Sequence, residues 1–249
     1  MAKTFEALKK AEKEHQISPE ESKVFDLKPK PKPYIPVDFR ISSQIIEEYH
    51  RMKHHILNSH PEGKIKTLLF SSSTEGEGNS TVLINFGITL ASGGDKVLLV
   101  DANLRNPTLH DLFTIDKKSG FTELLLEKNT LNDVIKKTQI KNLSVITSGI
   151  PHSNPFSVFE SKSLDSLIEQ MKAHTDWVLF DSPPINSYND SSTLAAKMDG
   201  VVMIVHAEKT RWEVVQSAKH QIENGKVKIL GAVLNRRKMY IPRWIYKML

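Results

Sequence analysis

Cysteine is absent from the 249 residues, which removes disulfides, thiolate nucleophiles and cysteine-based metal sites together. A reducing compartment, the cytoplasm, is the expected setting. No apolar run approaches the roughly 20 residues that a membrane span needs. The opening MAKTFEALKKAEKEH mixes charged and apolar side chains and has neither the continuous apolar core nor the small-residue cleavage site of a secretory signal, so no signal peptide is expected. Charge of one sign is in only modest excess: a net +5 and an isoelectric point near 9.2 suit nucleic acid, anionic lipid or an acidic partner alike. The local imbalance is the stretch from Arg236 to Leu249, with five cations and no acidic side chain. No aromatic-basic stacking platform accompanies it, and nucleic acid is not an expected partner.

The length suits one main domain, and composition sets it at 41–236, between a leading segment (1–40) and a basic, aromatic tail (237–249). Phe5, Leu8 and Ala11 recur at helical spacing among lysines, giving a short amphipathic segment that docks on protein or on a membrane surface. KPKPKPYIP at 28–36 alternates proline in the manner of a semi-rigid extended spacer. A helix is predicted over 42–57, capped by Ser42 or Ser43, with Ile45, Tyr49, Met52 and Ile56 on one face. Its His50 and His54 have ligand-like spacing but no third ligand, and solvated histidines are expected there.

From Thr67 onward apolar, β-branched runs recur at 67–70, 96–101, 143–147, 177–181, 201–205 and 229–234. Helical stretches or loops are expected between most of them, including 80–92, 121–137, 161–174, 191–197 and 211–223. Runs that are continuous rather than alternating mean that both faces of the sheet are covered, so the predicted fold is α/β, a doubly wound and mostly parallel sheet. Ligands in such sheets bind at the carboxyl ends of the strands.

At the end of the first run stands STEGEGNST, residues 73–81. Gly76 and Gly78 let backbone N–H groups converge on an anion, and the helix that follows adds the partial positive charge of its N-terminus. Ser80, or Thr81, supplies a hydroxyl for magnesium. Against the phosphate-loop pattern G-x-x-x-x-G-K-[ST], Ser73 stands at the first glycine and Asn79 at the lysine. Two further strand ends carry carboxylates: Asp101 in VLLVDANLRNP, followed by Asn103 and Arg105, and Asp181 in WVLFDSPP, where Pro183 and Pro184 force a turn. Carboxylates where two core strands stop, facing a glycine loop, fit a magnesium-nucleotide site.

These segments, together with Arg105 to His110 in the pattern R-x-P-x-x-H and the G-x-V-L-N strand at 231–235, resemble the nucleotide-site motifs of the bacterial tyrosine kinases (BY-kinases) of capsule and exopolysaccharide biosynthesis. The resemblance covers about residues 40–236, and the N-terminal stretch also resembles the opening of the stand-alone cytoplasmic type. It implies a P-loop NTPase fold and an ATP/ADP and Mg2+ site. In that site Gly76, Glu77, Gly78, Asn79, Ser80, Thr81, Asn103 and Arg105 hold the nucleotide, Ser80, Asp101 and Asp181 hold the metal, and Asp101 and Asp181 serve catalysis. It also implies rings of subunits, phosphoacceptor tyrosines in the tail (here Tyr240 and Tyr246), and control by the cytoplasmic segment of a membrane chain-length adaptor, hence peripheral membrane association.

Departures from that pattern bear on activity. Asn79 brings no charge, Asn103 replaces the second aspartate of a D-x-D pair, and the subunit-contact motif of a glutamate and two arginines reads Glu47, His50 and Lys53. Impaired autokinase activity is therefore expected, with Lys209, Arg211 or a neighbouring subunit's cation as substitutes for the lysine. A silent scaffold or regulator, alone or assembled with an active kinase, is the alternative. A positioning ATPase of the ParA/MinD type is a third reading, opposed by Thr74 where that group carries a second lysine. Tyr240 and Tyr246 are equally readable as interfacial residues of an amphipathic docking segment with Ile241, Trp244, Ile245 and Leu249.

Overall fold

Strands that are covered on both faces need apolar side chains at every position, and the six runs supply them. The computed structural model describes residues 42–58, 65–152, 154–159 and 163–238. Its strands are β1 (Thr67–Ser72), β2 (Val97–Asp101), β3 (Lys136–Lys137), β4 (Leu143–Ile146), β5 (Trp177–Asp181), β6 (Gly200–His206) and β7 (Ile229–Asn235), in the spatial order β3-β4-β2-β5-β1-β6-β7. All six expected runs are present and mutually parallel; only the added two-residue β3 runs antiparallel, against β4. The doubly wound architecture is as expected.

Side-chain alternation along these strands divides the core into two layers. Leu69, Leu98, Val100, Val178, Phe180, Val201 and Met203 face one side. Leu68, Phe70, Val97, Leu99, Trp177, Leu179, Val202 and Ile204 face the other. The second face is covered by α1 (Ser43–Asn58) and α2 (Asn79–Ser92), and α2 is apolar almost all round because it lies between α1 and the sheet. Phe86 of α2 sits at the centre, fully buried, with Tyr49, Phe70 and Trp177 ring centroids 6.3, 5.8 and 6.3 Å away. Gly87 lets α2 approach β2: a β-carbon there would stand 2.7 Å from Leu99 Cδ2.

The first face carries α4 (Phe121–Leu125), α5 (Leu131–Val134), α6 (Pro155–Phe159), α7 (Ser163–His174), α8 (Asp190–Ala195) and α9 (Trp212–Asn224), while α3 (Leu109–Phe113) follows β2. The stretch 121–137 divides into two short helices and β3. Glu127 adopts a left-handed backbone (φ 57°), and Asp133 Oδ2 accepts from the Thr130 backbone N–H at 2.8 Å and from its hydroxyl at 2.5 Å, starting a new short helix. The stretch expected at 161–174 starts at Ser163 after a separate turn of helix, α6.

Helix α1 begins as expected after Ser42, whose carbonyl accepts from Ile45 N and Ile46 N. Tyr49 and Ile56 are buried and Met52 is partly so, but Ile45 is 47% exposed, one turn before contact with Phe86 begins. His50 and His54 are exposed, and no group of three metal-ligating side chains occurs among the described residues. No helix among them is long and apolar enough to cross a membrane. The amphipathic segment at 1–15, the proline spacer and the tail with Tyr240 and Tyr246 lie outside the described residues, as does the division of the chain at 40.

Phe86→Ala should lower the free energy of unfolding by roughly 3–5 kcal/mol, the usual result of emptying a full aromatic site in a layer that cannot collapse. Denaturant titration measures it, and a loss below about 1 kcal/mol would contradict the packing described.

Candidate functional site

Strand order decides which loops meet. β5 lies between β2 and β1, with Asp101 in register with Asp181, and Asp181 with Phe70. The tips that carry Asp101, Asp181 and the glycine loop are therefore side by side, and α2 begins directly over them.

The loop's shape is set by two left-handed glycines and one buried carboxylate. Gly76 (φ 79°) and Gly78 (φ 93°) take backbone that side chains resist, and Gly78 caps α2. A β-carbon on Gly78 would stand 2.2 Å from Asn235 Nδ2 at the end of β7. Glu77 is 2% exposed and turns inward. Its Oε2 accepts from the N–H groups of Ser73 (2.7 Å) and Thr74 (3.2 Å), and its Oε1 accepts from the Thr210 hydroxyl. Its carbonyl accepts from Asn235 Nδ2 at 2.8 Å. Glu77 thus ties the loop to the ends of β6 and β7.

Asn79 also points inward, towards the strand ends. Its Nδ2 donates to Asp181 Oδ1 at 2.6 Å, to the Phe70 carbonyl at 2.9 Å and to the Ser182 carbonyl at 3.3 Å. The protein itself takes up the donors of this amide nitrogen, while the amide oxygen Oδ1 is buried without a hydrogen-bond partner. Ser80 follows on the next step of the helix, its Oγ 2.9 Å from Thr108 Oγ1 and also hydrogen-bonded to Asp181. Thr81 is exposed on the first turn.

Both aspartates are fully buried. Asp101 Oδ2 accepts from the N–H groups of Thr108 (3.1 Å) and Leu109 (3.0 Å). Asp101 Oδ1 and Asp181 Oδ2 have no hydrogen-bond partner in the protein. Burial pushes the Asp101 carboxyl well above the usual carboxylate range, and the charge of Asp181 adds to it, against the opposing N–H donors of Leu109, Thr108 and Asn103. Asp181 is pushed up to about 6, again by burial first, with the hydrogen bonds from Ser80 and Asn79 pulling the other way. Buried, partnerless carboxylate oxygens beside a serine hydroxyl suit a hard divalent cation, which takes one or two carboxylates and completes its shell with water and phosphate oxygens.

The remaining expected site residues lie further out. Asn103 Oδ1 accepts from Asn106 N at 3.1 Å, so its side chain folds its own turn. Arg105 leans away to the β5–α8 loop, where Nε and Nη2 reach Asp190 at 2.6 and 3.3 Å and the guanidinium lies 4.2 Å from the centre of the Tyr188 ring. There it borders a cleft of about 600 Å3 with Asn186 and Gln221. On α1, Glu47 and His50 are exposed, whereas Lys53 is half-buried in an ion pair with Asp95 at 2.6 Å. Sequence reasoning gave no role to Thr108, Thr210 or Asn235. Thr108 and Asn235 sit inside the two recognised patterns at 105–110 and 231–235; Thr210 carries no signal at all.

A strand–glycine loop–helix unit with acidic neighbouring strand tips defines a P-loop protein of the doubly wound type. The "AAA domain" family profile matches residues 65–230. Tyrosine-protein kinase YwqD of Bacillus subtilis is 34% identical over 193 residues, covering 78% of this chain and 81% of that one. Among solved structures, the kinase domain of the Escherichia coli tyrosine kinase ETK superposes with a TM-score of 0.75 at 25% identity, covering 84% of each chain. The Pyrococcus furiosus cell division ATPase MinD, at 22% identity, a TM-score of 0.59 and coverage of 74% and 78%, shares the fold alone. The chain belongs to the bacterial tyrosine kinase family, as its motifs indicated.

The buried carboxyl makes a prediction about pH. Asp181 binds its proton more tightly folded than unfolded, so its contribution to stability is intact below the ordinary aspartate range near pH 4 and is lost as pH rises through about 6. The stability advantage of Asp181→Asn over the unsubstituted chain should therefore grow by roughly 2–3 kcal/mol between pH 4 and pH 7.5. Denaturant unfolding at the two pH values measures this. A difference that does not change with pH would contradict it.

Proposed function

We propose that this protein is a BY-kinase relative that holds ATP or ADP with Mg2+ but transfers phosphate poorly, acting in capsule or exopolysaccharide production. The observation that carries the reading is the 2.6 Å hydrogen bond from Asn79 Nδ2 to Asp181 Oδ1. Phosphoryl transfer depends on positioning and on stabilising charge at the terminal phosphate. At position 79 the side chain is neutral, short and held against the strand ends. By comparison with deletion of one preorganised donor, the rate should fall roughly 100- to 1,000-fold. Asn103, bonded within its own turn, supports the same conclusion.

Ser80, Asp101 and Asp181 are the proposed magnesium ligands, and the bound ion would supply the positive charge that the loop lacks. Gly76, Gly78 and the first turn of α2 would present N–H groups to the phosphates. Asp101 and Asp181 remain the proposed catalytic carboxylates for whatever transfer persists, with Tyr240 and Tyr246 as phosphoacceptors. The partnerless oxygens of the two aspartates favour a nucleotide-holding protein over a scaffold that binds none. The proposed partner is the cytoplasmic segment of a membrane chain-length adaptor, which would place the protein at the inner membrane surface. Glu47, His50 and Lys53 are the proposed contacts to a second copy or to an active kinase.

Calorimetric titration of the full chain with ATP and ADP, with and without magnesium, should show magnesium-dependent binding that Asn79→Lys strengthens. Incubation with Mg-ATP should yield phosphotyrosine at least about 100-fold more slowly than an active relative does. Rapid labelling of Tyr240 or Tyr246 in the unsubstituted chain would sink the impaired-kinase reading.

A further inference from the structure

With Asn79 turned inward, the loop has no cation of its own. Arg105 is bound to Asp190 and stacked on Tyr188. Between Lys209 and Arg211, both exposed, it is the Thr210 hydroxyl that reaches Glu77. A different cation is held at the opposite rim. Arg236, the residue after β7, has a left-handed backbone (φ 58°), a conformation that costs a side chain-bearing residue roughly 1–2 kcal/mol. A chain of hydrogen bonds maintains it. Asn235 Oδ1 accepts from Arg236 N at 2.9 Å, while Asn235 Nδ2 donates to the Glu77 carbonyl at 2.8 Å. The result turns the arginine back over the loop: a β-carbon built on Gly78 would stand 3.8 Å from Arg236 Nε. The side chain is exposed, and among the described residues no carboxylate pairs with it.

An arginine kept in a strained backbone, unpaired, beside the glycine that opens a phosphate-loop helix is placed for an anion. We propose that Arg236 is the phosphate-binding cation of this site, contacting the nucleotide's phosphates from the β7 rim in place of the lysine missing at position 79. The inference deepens the nucleotide reading above and rests on it. Arginine suits the position because its planar fork reaches two phosphate oxygens at once from the side, where lysine offers a single point charge. Gly78 is required twice, for its own left-handed backbone and for the space that the Asn235 amide occupies.

The test compares the full unsubstituted chain with Arg236→Gln, Arg236→Lys and Ser80→Ala, titrated with Mg-ADP and with adenosine, thermal unfolding confirming that each variant is folded. Arg236→Gln should weaken Mg-ADP binding about tenfold or more, the scale of a hydrogen bond to a charged group. It should leave adenosine binding unchanged, and Arg236→Lys should recover part of the loss. Unchanged Mg-ADP affinity in Arg236→Gln, with Ser80→Ala weakened, would overturn the arginine's role while leaving the nucleotide site standing. Equal losses for adenosine and ADP would assign Arg236 to the base and overturn the phosphate contact. Absence of Mg-ADP binding by the unsubstituted chain would remove the nucleotide reading and this inference together.

Discussion

Asp101 and Asp181 face each other across neighbouring strands with no exposure to water, and the surrounding structure is arranged around that repulsion. Two buried carboxylates of like charge cannot both ionise cheaply. The protein offsets the problem with neutral donors: the N–H groups of Thr108 and Leu109 for one, and the side chains of Asn79 and Ser80 for the other. None of these brings a full positive charge. The pair therefore holds a proton or demands a cation, which fits the proposed magnesium site.

Asn79 links this electrostatic constraint to the fold. Its amide joins the start of α2 to the ends of β1 and β5 at once, so the residue at the lysine position has become part of the scaffold. Glu77 does the same on the other side, tying the loop to Thr210 and Asn235. The loop is thus shaped by side chains that face the strand ends, and under the proposed nucleotide reading the charge for phosphate comes from outside it. Arg236 at the β7 rim is the candidate the geometry provides.

Much of this was legible in the sequence because burial on both faces of a parallel sheet writes itself as continuous apolar runs, and the site residues directly follow three of them. The short β3 and α3 left no such mark, having too few residues to show a period. The stretch 121–137 was readable only as helix or loop because Leu124, Leu125, Leu131 and Val134 keep helical spacing across a real break. The Thr130–Asp133 spacing that restarts the helix was visible but is outweighed by periodicity in a window reading. Side-chain direction was not legible at all. Asn79 finds Asp181 across 102 positions, Arg105 finds Asp190 across 85, and Lys53 finds Asp95 across 42. Such pairings follow from strand order, which motifs suggest and only the assembled sheet fixes.

Asp181 is a buried, under-compensated carboxyl, and the proposed role for it is to hold a divalent ion. Carbon-13 NMR of the aspartate carboxyl groups, with the Asp181 signal assigned by substitution, tests it directly. The expected result is a midpoint at about 6 in the ligand-free chain, falling sharply when magnesium and ADP are added together. A midpoint in the ordinary range near 4, unmoved by magnesium and nucleotide, would contradict the account.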